Sequence, residues 1–338
     1  MTEVSARVSW DICTGVSRDT ADNEGLGSKL RDAAPGVEEA AETYREAALN
    51  RSLHTLREQD FQIPGVPGPR VSGIAYESGM RGGPGRVIYD EVMEGRERDL
   101  CPMCQHSEVY ELDHVLPKTA FPALCVAPDN LVGICEFCNS KKSNITSTDA
   151  REVLLHPYFD DVSTDVWLAA EVLPGTRGVL RYSVEPPLDW DPVLKARVRN
   201  QFRFLEMATR FGNRAQHTLG GMRQVFGEQL QKNGATGLRV FLKDLAASYQ
   251  AKDLNGWAGV AYDAWAEDHD FCRGSFNRME IPAARRENLD SPDFKIKWVQ
   301  NNARHTSSVN YSAAAVGEYA SLKRAEEGVS DVRIVLAK

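Results

Sequence analysis

CPMCQHSEVYELDHVLPKTAFPALCVAPDNLVGICEFCNSKKSN, residues 101–144, sets two Cys-x-x-Cys pairs, Cys101/Cys104 and Cys135/Cys138, around an Asp-His dipeptide and two asparagines. Four thiolates suit a closed tetrahedral zinc (Zn2+) site, because soft sulfur ligands match zinc and leave no position open for chemistry. Each Cys-x-x-Cys turn presents both sulfurs to one ion, and closing the loop of residues 105–134 clamps whatever lies inside it. Four buried cysteines without metal are the competing reading. Asp113, His114, Asn130 and Asn139 are harder oxygen and nitrogen groups, fit for a second, working metal and a general base. His106, two residues after Cys104, is weighed as a substitute ligand and read as solvent-facing.

The whole chain has 338 residues, 42% of them hydrophobic and 26% charged, with a mean hydropathy of −0.40. That length holds one large core or two modest ones. No apolar run approaches the roughly 18–20 residues a membrane span needs, and MTEVSARVSWDICTG lacks the pattern of a secretory signal. Four of the seven cysteines fall in the paired pattern, which fits metal binding in a reducing cytoplasm better than a disulfide framework. The net charge is −8. Over residues 101–150 Lys118, Lys141 and Lys142 face Glu108, Glu111, Asp113, Asp129, Glu136 and Asp149. A basic docking surface for nucleic acid must therefore lie elsewhere or come from a partner.

The expected organisation is an irregular arm over residues 1–23, a helical segment from Leu26 to Leu56, and a Pro/Gly-rich connector over 61–73. RVIYDEVMEG (86–95) reads as a short helix. YELDHVLP reads as a strand reaching Asp113 and His114, and NLVGICEFCNSKK as a turn into a helix. DVWLAAEVLPGTRGVLRYSVEP reads as a β-hairpin. From Asp191 to about Glu267 the pattern is helical, with Leu194, Val198, Phe202 and Leu205 on one stripe. The last sixty or so residues read as mixed helix and coil. Four regions result: 1–85, 86–160, 161–280 and 281–338. Residues 195–223 carry Lys195, Arg197, Arg199, Arg203, Arg210, Arg214 and Arg223 against Glu206, the best nucleic-acid surface the sequence offers, with a solvated helix face as the alternative. Trp167, Trp190, Trp257 and Trp265 read as core anchors, and His156 is weighed as a residue lining the groove.

CPMC…LDH…P…DNL…C…CNSKK resembles the HNH endonucleases, over about 45–50 residues. The resemblance implies an α+β chain with a zinc-stapled ββα-metal centre between an N-terminal helical segment and a mainly helical C-terminal half. It implies His114 as the general base, Asp113 as a carboxylate ligand of one Mg2+ or Mn2+, Asn130 as the asparagine that orients the base, and Asn139 in a position where the family often has a metal-binding histidine. Lys118, Lys141 and Lys142, with Arg197, Arg199 and Arg203, are the candidates for phosphate contact. DNA is the substrate expected first. Structured RNA such as tRNA, or a non-catalytic zinc module that docks nucleic acid or protein, are the alternatives. The flanking YDEV and HPYFDD…W are similar to stand-alone bacterial HNH proteins, including Septu-type proteins that act in phage defence beside an ATPase. No P-loop GxxxxGK[ST] occurs here, so an ATPase subunit would be another chain.

Overall fold

The computed structural model describes residues 4–15, 17, 25–94, 100–277, 294–300, 303–307, 313–326 and 328–336. The expected boundary at 280/281 lies outside the described residues. The chain divides into two compact units: residues 1–173 with 178–276, and residues 174–177 with 277–338.

The first unit opens with helix α1 (Ala6–Thr14), capped by the Ser5 hydroxyl, which accepts from Val8 N. This corrects the expected loose arm. Trp10 and Cys13 lie one turn apart and are fully buried, and the Trp10 indole donates to Leu30 O at 2.8 Å. Helices α2 (Leu26–Asp32) and α3 (Ala34–Leu49) follow, with Pro35 in the first turn of α3, where it forfeits no hydrogen bond. The connector becomes helix α4 (Gly68–Ser72), which runs straight into a π-helix over Gly73–Arg81. A Cβ on Gly79 would meet the Cys13 carbonyl oxygen at 2.1 Å, so only glycine lets this turn lie against α1. Helix α5 (Arg86–Glu94) precedes the cysteine window.

Within the window, strand β1 (Glu111–His114) pairs antiparallel with β2 (Leu131–Ile134), with His114 opposite Leu131, and helix α6 (Glu136–Lys142) follows directly. The strand pair joins two cores. Leu112 and Leu131 belong to the one built on α1, α3 and the π-helix. Ile134 and the four cysteines belong to the other, built on the long helices that follow.

Strands β3 (Leu168–Val172) and β4 (Leu180–Val184) form the expected hairpin. Helix α7 (Pro192–Phe204) starts at Asp191, whose carboxylate accepts from Val193 N and Leu194 N. Helix α8 (Met207–Gln250) is broken at Gly234, where φ is 68°. Helix α9 (Trp257–Glu267) is buried along most of its length, and its Trp265 indole donates to Gly178 O. Helix α10 (His269–Cys272) completes the unit.

The second unit corrects the expected helix/coil mixture. Strands β5 (Phe294–Gln300), β6 (Ala303–Thr306) and β7 (Val329–Leu336) form an antiparallel sheet in the order β6-β5-β7, with helix α11 (Ala313–Arg324) between β6 and β7 in sequence. Ile296, Val316 and Ala320 form its small core. No helix among the described residues is long and apolar enough to cross a membrane.

Candidate active site

The sulfurs of Cys101, Cys104, Cys135 and Cys138 all lie within 4.8 Å of one another, and all four residues are buried. A tetrahedral zinc site with Zn–S bonds of about 2.3 Å has sulfur–sulfur edges of about 3.8 Å, and Cys104 Sγ and Cys135 Sγ are 3.9 Å apart. The donor set therefore fits structural zinc, and the spacing is far too long for a disulfide. Contact with Cys101 pushes the Cys104 thiol down to about 6 and Cys135 further still, while contacts with Cys104 and Cys101 respectively push Cys101 and Cys138 up. Partial thiolate character among crowded sulfurs is what a cation would exploit.

Arg210, on α8, belongs to the stretch 195–223 read from the sequence as the best nucleic-acid surface. Its guanidinium instead reaches Cys104 Sγ at 3.5 Å, Cys138 Sγ at 3.8 Å and Ser107 Oγ at 2.9 Å, and stacks 4.2 Å from the Phe137 ring. A cation here offsets the excess negative charge of four thiolates on one divalent ion. His106 contributes no ligand to the cluster. Its Nδ1 lies 3.0 Å from Ser107 Oγ, and its ring stacks on Phe211.

Helix α6 connects this cluster to a cleft of about 210 Å³ lined by Tyr76, Glu111, Asp113, His114, Lys118, Asn139 and Lys142, among others. Cys135 caps the helix, accepting from Cys138 N at 3.5 Å. At the other end, Lys142 is buried in the cleft wall. Seven residues are too few for a helix to hold by itself, so the metal-type centre at its start positions Asn139 and Lys142.

His114 is 3% exposed. Its Nε2 donates to Cys125 O at 2.7 Å, which fixes the tautomer and leaves Nδ1 as the acceptor. The Tyr76 ring stands edge-on at 4.4 Å, held by a hydrogen bond from its hydroxyl to Leu112 O. Burial pushes the imidazole down to about 4, against a smaller opposing effect of the Cys125 carbonyl, so the neutral ring is the resting form. Asn130 is fully buried and clamps the loop that carries Cys125: Oδ1 accepts from Leu116 N at 2.7 Å, and Nδ2 donates to Leu116 O and Leu124 O at 3.0 and 3.2 Å. Asn130→Ala leaves these buried backbone groups without partners and is expected to cost on the order of 3 kcal/mol, read as a lower midpoint in chemical denaturation.

Lys142 Nζ lies 2.9 Å from Asp113 Oδ2 and also donates to His114 O. The first contact is close enough for an ion pair but off the angle of a hydrogen bond, so that buried carboxylate oxygen has no hydrogen-bond donor. Asn139 does not meet Asp113. Its Nδ2 donates to Glu111 Oε1 at 2.6 Å, which leaves the amide oxygen available. Glu111 entered the sequence reading only as charge. The Glu-x-Asp spacing, which puts both carboxylates on one face of a strand, is the signal that would have found it. Glu111, Asp113 and Asn139 thus line one cleft, while among the described residues the group of three or more His, Cys, Asp or Glu side chains close enough to share a metal is the four-cysteine cluster.

The remaining basic candidates divide. Lys118 lines the cleft, with its ammonium on Glu77 Oε1 at 2.6 Å and 4.5 Å from the Tyr76 ring. Lys141 is paired to Glu206. Arg199 and Arg203 are exposed on α7, and Arg203 donates to Asn200. Arg197 is only 1% exposed. It is corrected from a phosphate contact to a structural group, because it grips Asp160 through both terminal nitrogens at 3.0 and 2.6 Å and donates to Val153 O and Leu154 O.

His156 is likewise interior rather than in this cleft. Its Nδ1 accepts from Tyr158 N, so Nε2 donates to the Tyr44 hydroxyl at 2.8 Å. Burial pushes it down to about 4. Because the folded value lies below the ordinary one of about 6.5, the unfolded chain takes up the proton first as pH falls. The contribution of His156 is complete above pH ~6.5 and lost progressively toward pH ~4, up to about 3 kcal/mol. His156→Phe should flatten the pH dependence of unfolding free energy in that window by about one proton.

These features define an α+β protein with small antiparallel sheets and a buried four-cysteine, zinc-type centre. The chain is 30% identical to protein ea31 of Escherichia phage lambda over 215 residues, 59% of this chain and 72% of the relative, and it belongs to the ea31 family. It is also 32% identical to the Septu protein PtuB of Bacillus thuringiensis over 75 residues, 22% of this chain and 28% of PtuB. No protein-family profile and no solved structure matches it.

Proposed function

We propose that the chain is an endonuclease that hydrolyses phosphodiester bonds at the His114 cleft, with DNA as the first substrate. The observation that carries this reading is the state of His114: neutral, with Nε2 spent on a carbonyl and Nδ1 left to accept a proton, beside a carboxylate and a buried ammonium. The order β1, β2, α6 around that histidine supports a ββα-metal centre of the HNH kind.

In this reading His114 takes the proton of the attacking water, a step of general-base catalysis. Asn130 and Tyr76 keep the ring from turning. Lys142 pins the Asp113 carboxylate and the His114 main chain, and Lys118 and Lys142 together meet charge gathering on the phosphoryl oxygens. Asp113 and Asn139 would hold Mg2+ or Mn2+, which when bound supplies Lewis-acid neutralisation of the leaving oxygen.

The similarity to PtuB supports an extension of the reading, in which the nuclease works in phage defence under an ATPase supplied by another chain. The test is cleavage of labelled plasmid, single-stranded DNA and tRNA with Mg2+, Mn2+ or EDTA, with and without a co-expressed ATPase partner. Cleavage of plasmid that EDTA abolishes supports the reading, and cleavage confined to tRNA reassigns the substrate. A folded, zinc-loaded protein that cuts nothing under any of these conditions overturns it.

A further inference from the structure

Strand β5 alternates strictly. Phe294, Ile296 and Trp298 occupy one face, with Ile296 in the small core and Phe294 and Trp298 packed against it. Lys295, Lys297 and Val299 take the other. Cross-strand register extends that second face: Lys297 sits opposite both Thr306 and Arg333, Val299 opposite Arg304 and, across a register shift in the pairing with β7, Ser330, and Lys295 opposite Val335. Four cations, Lys295, Lys297, Arg304 and Arg333, therefore share the face turned away from the core. Arg333 is paired to Asp331 at 2.6 Å. Lys295, Lys297 and Arg304 have no acidic partner among the described residues, and Lys297, Arg304 and Arg333 are exposed.

A chain of net charge −8 has concentrated positive charge on one open sheet. Such a face attracts a polyanion. Its side chains are lysine, arginine, valine, threonine and serine. The aromatic rings on which single-stranded bases stack are missing from it, because Trp298 points to the core side. Lys295 and Lys297 recur about 6.8 Å apart along one strand, a row of point charges suited to a regular phosphate backbone. Sheets and ribbons dock duplex DNA across its broad groove, whereas A-form RNA offers a groove too narrow and deep for side chains.

We propose that the face of the β6-β5-β7 sheet bearing Lys295, Lys297 and Arg304 is a docking surface for the phosphate backbone of duplex DNA. The choice of polymer rests on the nuclease reading of the His114 cleft, while the surface itself does not.

The test is equilibrium binding of a fluorescent DNA duplex to the full-length chain over a range of salt concentrations, in a His114→Ala background so that nothing is cut. Three variants are compared: the parent, the triple variant Lys295→Ala/Lys297→Ala/Arg304→Ala, and the charge-keeping Lys295→Arg/Lys297→Arg/Arg304→Lys. The alanine variant should bind roughly tenfold or more weakly at moderate salt, and the slope of log affinity against log salt should shrink by about 3. The charge-keeping variant should bind like the parent. An unchanged affinity and slope in the alanine variant overturns the proposal, as does a parent that shows no duplex binding or a loss greater for single-stranded DNA or duplex RNA. The two readings fail separately. Cleavage by the wild type with unaltered binding in the triple variant removes the docking surface and keeps the nuclease; salt-dependent duplex binding through this face without cleavage does the reverse.

Discussion

Cys138→Ser is expected to abolish zinc binding by the four-cysteine cluster and to destabilise the first unit by on the order of 5 kcal/mol or more, since structural zinc contributes folding free energy directly. Cys138 is fully buried among the other three sulfurs, and the second core, with Leu205, Met207 and Phe211, packs around them. Losing the ion leaves the crowded sulfurs buried with only the Arg210 guanidinium beside them to offset their charge. The damage should travel along α6, which spans seven residues, or about 10 Å, from the cluster to Asn139 and Lys142 in the cleft. Zinc content by elemental analysis and thermal unfolding together check this. A zinc-free Cys138→Ser protein with wild-type stability would remove the metal from the account.

His114→Ala should lower the rate of phosphodiester cleavage by about 10²–10⁴-fold, the usual contribution of a positioned base. The side chain is buried, so the substitution also leaves a cavity and an unpaired Cys125 carbonyl, worth perturbing stability by about 2 kcal/mol. His114→Gln provides the control. It retains bulk and a donor for that carbonyl, yet cannot take up a proton, so stability should recover while activity stays lost. Zinc content should remain at the wild-type level in both variants, since the cluster is built from Cys101, Cys104, Cys135 and Cys138 and does not include His114.

The centre of the molecule was legible because its signals are local. Cysteine spacing, the Asp-His dipeptide and the turn residues before α6 all act within a few residues of where they stand. What escaped depends on long-range packing. Tyr76 meets His114 from a π-helix 38 residues earlier, and Arg210 reaches Cys104 across 106 residues. Net charge over a window could not tell Arg197 from Arg199. The helical stripe could have, because Arg197 falls between Leu194 and Val198 on the same buried face. The apolar and basic alternation through Lys295–Val299 is likewise a strand pattern, hidden in a segment whose neighbours carry few signals.

The most direct test of the nuclease reading is single-turnover cleavage, with Mg2+, of whichever of plasmid, single-stranded DNA and tRNA the wild type cuts fastest, comparing wild type with His114→Gln at matched zinc content. The expected result is cleavage by the wild type and a loss of at least about 100-fold in the variant. Equal rates in the two proteins would show that His114 is not the base and that the cleft has been assigned the wrong chemistry.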